Sequence, residues 1–108
     1  MNATETKIVT QLIAQLDRHG YDLCGVRESH PDDPAITALV PGEVAKAIKN
    51  VDATGDGLLY FRSLGGQQRW VRLIVGNDID IVSDYAVAPG GDDNAWNAAM
   101  NSFEPLTA

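Results

Sequence analysis

The sequence predicts an α+β domain. The architecture is a three-stranded antiparallel meander with an N-terminal helix, one or two short helices and a C-terminal helix, packed mainly on one face. Three observations predict it. Apolar residues recur at helical spacing near both ends of the chain. Three runs between them alternate apolar and polar residues, and Gly-, Asn- and Asp-rich turns separate those runs. At 108 residues the chain is expected to be a single domain, 1–108, with one core.

Thr4 or Thr6 is expected to cap the first helix, whose stripe is Ile8, Val9, Leu12, Ile13 and Leu16, with Gly20 as its stop. Tyr21 to Val26 fits either a short strand or an extended loop. Ser29 to Pro34 is turn chemistry, and Asp33 followed by Pro34 suits the start of a short helix that Pro41 interrupts. Val44, Ala45, Ala47 and Ile48 mark a second helical piece from Gly42 to Asn50. Strands are expected over Leu58 to Ser63, Arg69 to Val75 and Ile79 to Val87. Pairing Val75 with Ile79 sets Leu73 opposite Ile81 and Val71 opposite Ser83. One face is then Leu59, Phe61, Val71, Leu73, Val75, Ile79 and Ile81. A slip of one residue would set Asp80 beside Leu73 on the buried face, at a desolvation penalty. Asp92 or Asp93 is expected to cap the last helix, which carries Trp96, Ala99, Met100 and Phe103 on one side and stops at Pro105.

The net charge is −7 and is unevenly spread. Residues 1–72 hold all 8 Lys and Arg against 9 Asp and Glu, whereas residues 73–108 hold 6 acidic residues and no Lys or Arg. An acidic chain lacks the phosphate-neutralising charge on which nucleic-acid binding depends. No apolar run approaches the ~20 residues that span a bilayer, so no membrane partner is expected. Met1-Asn2-Ala3-Thr4-Glu5 lacks the basic and apolar regions of a signal peptide, and Cys24 is the only cysteine. A cytoplasmic location is the corresponding expectation.

Two constellations stand out. Asp52, Thr54 and Asp56, with Gly57 and Leu59 behind them, resemble the opening of an EF-hand calcium loop over residues 52–59. The resemblance implies a calcium site with oxygens from those three residues. The sequence departs from the family at the twelfth loop position, where Ser63 replaces a bidentate Glu. The second constellation is the other face of the sheet, where alternation sets Tyr60, Arg62, Trp70, Arg72, Ile74, Asp80, Val82 and Asp84. In the expected register Arg72 lies opposite Val82, with Asp80 and Asp84 as diagonal neighbours. Trp, Tyr and Arg are the residues enriched at binding hot spots. Trp96 of the last helix, if it meets Trp70, would cover part of this face.

Catalytic signatures are absent. Asp80 and Asp84 stand roughly 13 Å apart on a strand, too far for a carboxylate pair. Cys24 reads as a small buried residue, His30 as an exposed turn residue and His19 as a favourable dipole partner at a helix C-terminus. The expected role is therefore a non-enzymatic protein-interaction module that needs no cofactor. One form of it is an inhibitor or decoy that meets a basic partner surface through Tyr60, Arg62, Trp70, Arg72, Asp80 and Asp84. The alternative is a calcium- or small-ligand-binding domain built on the Asp52 loop. A homodimer would also use an aromatic sheet face.

Overall fold

The computed structural model describes residues 1–28, 36–40, 42–86 and 94–101. Helix α1 covers Ala3–Arg18. Its cap is Asn2 rather than either threonine. The Asn2 side chain accepts the Glu5 backbone N–H at 2.7 Å, and the Glu5 carboxylate accepts the Asn2 N–H at 3.0 Å. This reciprocal box satisfies two N–H groups that a helix start otherwise leaves bare. Thr6 lies inside the first turn and returns its hydroxyl to the Asn2 carbonyl. The apolar stripe from Ile8 to Leu16 is buried as expected, and Gly20 ends the helix at φ +86°.

The chain then enters strand β1, Tyr21–Glu28, the choice the sequence left open. Tyr21 and Leu23 are buried two apart, and Val26 is buried three further on. A bulge between Leu23 and Gly25 absorbs the extra residue and returns Val26 to the core side. Gly25 is required there. A Cβ on it would stand 2.8 Å from the Ile36 side chain and 3.3 Å from the Thr37 carbonyl oxygen. That close approach belongs to strand β2, Thr37–Ala38, paired with Gly25 and Val26. The expected short helix is thus a strand at 37–38, and its proposed start at Asp33 and Pro34 lies outside the described residues. Gly25 favours β2 because it lets that backbone lie against β1.

Helix α2, Val44–Thr54, runs one turn further than expected and buries Ala47 and Val51. Gly55 closes it at φ +78°, a left-handed position that glycine adopts without steric cost. Strands β3, Asp56–Ser63, and β4, Gln68–Ile74, form a hairpin in which Leu59 faces Val71 and Tyr60 faces Trp70. Strand β5, Val82–Tyr85, follows, and helix α3, Asn94–Asn101, closes the described chain; the expected cap at Asp92 or Asp93, Phe103 of the stripe and the stop at Pro105 lie outside the described residues. All pairings are antiparallel, and the strand order is β2-β1-β3-β4-β5. Among the described residues the sheet therefore has five strands, not the three of the expected meander.

The connection from β4 to β5 also departs from the expected turn. Asp78–Asp80 is a 3-10 turn, and Ile79, expected on the buried face, is 41% exposed. Val71 pairs with Tyr85, Arg72 with Asp84 and Leu73 with Val82, with an irregularity between Arg72 and Leu73. A shift of two residues leaves Asp84 on its expected face. The shift of one beyond the bulge turns Val82 inward, and it packs against the core. Asp80 leaves the strand altogether. The desolvation penalty that forbids Asp80 beside Leu73 is met by lifting residues 78–80 out of the sheet.

One core lies between the sheet and the described helices. Leu59, Phe61, Val71, Leu73 and Ile81 are fully buried in it, together with Ile8, Leu12 and Leu16 of α1. Trp96, Ala99 and Met100 bring α3 onto the same side. Trp96 meets Tyr21 and Phe61, with ring centroids at 5.1 and 6.3 Å, and not Trp70.

Candidate functional site

The face turned away from the helices is built by outward residues of β1, β3, β4 and β5. Register sets them in rows. Gly25, Tyr60 and Trp70 lie side by side, as do Arg27, Leu58, Arg72 and Asp84. Asp22 stands opposite Arg62, and Asp56 opposite Ile74. Tyr60, Trp70, Leu58 and Ile74 are half-buried, while Arg62 and Asp84 are exposed. Of the residues expected to share this face, the structure brings together Tyr60, Arg62, Trp70, Arg72 and Asp84. It sets Asp80 apart in the 3-10 turn that contacts α1.

The partner of Arg72 is Asp56. Its Nε donates to Oδ1 at 3.1 Å and its Nη2 to Oδ2 at 2.7 Å, a two-pronged pairing that fixes the guanidinium plane. The hydrogen bond to Asp56 holds the guanidinium above its ordinary pKa, and the Asp56 and Asp84 charges act in the same direction. The arginine side chain is 42% exposed, so solvent screens the pair and it orients more than it stabilises. Asp84 accepts the Tyr85 N–H through Oδ1 at 2.8 Å. Between Leu58, Trp70, Arg72 and Asp84 lies a shallow depression of about 240 Å³. A wider groove of about 620 Å³ follows the exposed side of α1 from Met1 to Gln11, but among the described residues lining it there is no aromatic side chain and no carboxylate.

The sequence anticipates neither the Asp56–Arg72 pair nor Leu58 on this face. The available signal was alternation. With β3 begun at Asp56 rather than Leu58, Asp56, Leu58, Tyr60 and Arg62 fall on one side by their spacing of two.

The calcium-loop residues are not brought together. Asp52 and Thr54 belong to the last turn of α2, two residues apart and so about 200° around its axis. The Asp52 carboxylate pairs with the Met1 amino group, and the Thr54 hydroxyl lies against the carbonyls of Asn50, Val51 and Asp56. Asp56 opens β3 and is held by Arg72. Among the described residues no group of three or more His, Cys, Asp or Glu side chains is placed to hold a metal ion. Millimolar calcium is therefore expected to leave the melting temperature unchanged in a thermal scan. A rise with calcium concentration would restore the loop as an ion site.

Cys24 is half-buried, and burial pushes its thiol above the ordinary value; nearby Arg62 opposes this and Asp22 adds to it. That is the reverse of what activates a nucleophilic cysteine. His30 lies outside the described residues, and His19 Nδ1 lies 2.9 Å from the Gln15 carbonyl oxygen at the end of α1. Asp22 is raised above the usual carboxylate range, first by its hydrogen bond with Asp17, then by burial and by the Asp17 charge. No helix among the described residues is long and apolar enough to cross a membrane.

Comparison with family models, with curated proteins and with solved structures gave no match.

Proposed function

We propose that this chain is a non-enzymatic protein-interaction module whose open sheet face binds a partner protein with a basic surface. One observation carries the proposal. Tyr60 and Trp70 stand side by side, half-buried, on the face that the described helices leave uncovered. Large amphipathic rings held rigidly by a sheet bring much contact area with little entropy loss on binding. Register sets Asp22, Asp56 and Asp84 with Arg27, Arg62 and Arg72 on this face, a balanced mixture that supplies orientation rather than bulk attraction. The attraction comes from the rest of the chain, whose net charge is −7 and draws a basic surface at long range. The aromatic contact and the acidic excess thus do different jobs in different places.

The test is photo-cross-linking from the face itself. A photoreactive phenylalanine analogue at position 60 or 74 is expected to give a discrete adduct with a basic protein in native extract. The yield should fall at high salt, and the analogue at Gln11 on exposed α1 should give no such adduct. An adduct with a second copy of this chain would make the face a homodimer contact instead. Equal adducts from position 11, or none from the face, would sink the proposal.

A further inference from the structure

We infer that the depression between Leu58, Trp70, Arg72 and Asp84 is the anchor point of that interface and takes a lysine or arginine side chain of the partner protein. The inference rests on the open face being the interface. It follows from the charge bookkeeping of three neighbours. Among the described residues Arg72 is the one cation lining the depression, and both prongs of its guanidinium already face Asp56. Asp84 lies directly opposite Arg72 in register, is exposed, and has its described contact only on Oδ1, from the Tyr85 N–H. Asp56, Arg72 and Asp84 together carry one net negative charge, Arg27 stands two strands from Arg72 beyond Leu58, and Asp84, the carboxylate on the rim, has a second oxygen with no described contact.

The rest of the lining suits a long cationic side chain. A cation over the Trp70 ring is attracted by the negative face of its π-system. Leu58 gives the aliphatic stem an apolar floor, the way such side chains bury their stems while the head stays polar. The volume of about 240 Å³ admits one lysine or arginine side chain. An anion would meet the wrong net charge and a guanidinium already engaged. The depression is shallow and is continued by Tyr60 beside Trp70 and Ile74 beside Asp56, so the cation is best delivered by a protein that also covers those neighbours.

The chain supplies its own internal control, because it has two tryptophans and only Trp70 lines the depression. The experiment is a titration of the ¹⁵N-labelled chain with capped Gly-Lys-Gly and Gly-Arg-Gly, with Gly-norleucine-Gly and Gly-Glu-Gly as comparisons. The two indole N–H resonances are the readout. With the basic peptides the Trp70 resonance is expected to move saturably while that of buried Trp96 stays in place. Asp84→Asn should weaken the basic peptides about fivefold, the scale of one exposed charge pair, and Asp80→Asn should not. Three results would each overturn the inference: norleucine acting as well as lysine, Asp84→Asn binding like the wild type, or no saturable shift at Trp70. A face cross-link without a peptide response removes the anchor and leaves the interface standing. Absence of any face cross-link removes the interface whatever the peptides do.

Discussion

Replacing Glu5 by alanine is expected to lower the melting temperature by roughly 10–20 °C, the equivalent of about 2–3 kcal/mol in a domain of this size. Glu5 is only 1% exposed, the one buried charged side chain among the described residues. It is tolerated because its oxygens accept backbone N–H groups from two distant parts of the chain. Oε1 takes the Asn2 N–H at 3.0 Å and Oε2 takes the Gly76 N–H at 2.7 Å. The first bond closes the capping box of α1. The second ties α1 to the turn between β4 and β5, where Gly76 at φ +105° sends its N–H away from the strand ladder. Alanine abandons both donors, whose bonds to Glu5 are part-buried.

The same group sets an acid limit. Burial pushes the Glu5 carboxyl up, but hydrogen bonds from the Asn2, Gly76 and Asp78 backbones, aided by the terminal amino group, outweigh it and hold the carboxyl below its ordinary value. A depressed folded-state value means that ionised Glu5 stabilises the fold. That contribution is complete above the unfolded value of about 4.3 and is lost as the pH falls through the lower folded value. Urea unfolding of wild type and Glu5→Ala at pH 7 and pH 3 measures it. The gap should be wide at pH 7 and shrink towards pH 3. A gap that does not change with pH would show that the side chain acts through its bulk and not its charge. Glu5→Gln, which keeps one acceptor but turns an amide NH₂ towards a donor, should fall between the two.

Glu5 also illustrates how far the sequence is legible. Asn2-x-x-Glu5 is a capping box readable from four letters, yet Thr4 and Thr6 compete for the same role. Only the contact with Gly76, 71 residues away, makes the first choice decisive. The long-period features are plain in the sequence. The stripes of α1 and α3 and the inward faces of β3 and β4 follow from spacing, because burial imposes the spacing. Strand β2 left no signal, since two residues have no period and its existence depends on Gly25 giving it room. The bulges in β1 and β5 break alternation at the very positions where alternation is the only local guide. For the open face, parity was enough to place Tyr60, Arg62, Trp70, Arg72 and Asp84 together. It was not enough to give Arg72 its partner, because Asp56 sits at the strand entrance that turn chemistry had claimed.

The two tryptophans make opposite predictions, and together they test which face of the sheet is covered. Trp96→Ala is expected to destabilise by about 3–5 kcal/mol, a large share of the 5–15 kcal/mol by which a domain is stable. Its ring is fully buried, meets Tyr21 edge-on at an interplanar angle of 69°, and lies beside Phe61. Its Nε1 donates to the Ala86 carbonyl at 2.8 Å, just beyond the end of β5. One side chain thus joins α3 to β1, β3 and the chain leaving β5. Alanine leaves a cavity among residues that are themselves part of the core and cannot collapse freely. Trp96→Phe keeps much of the ring contact and abandons the carbonyl, so it should cost about 1–2 kcal/mol. Trp70→Ala removes a ring of the same size from the open face, where it keeps part of its surface in water and no described helix lies over it, and should cost less than Trp96→Ala. Equilibrium urea unfolding followed by far-ultraviolet circular dichroism compares all three without relying on tryptophan emission. If Trp70→Ala proved the more damaging, the covered and open faces would be reversed, and the aromatic pair would be core rather than a surface free to meet a partner.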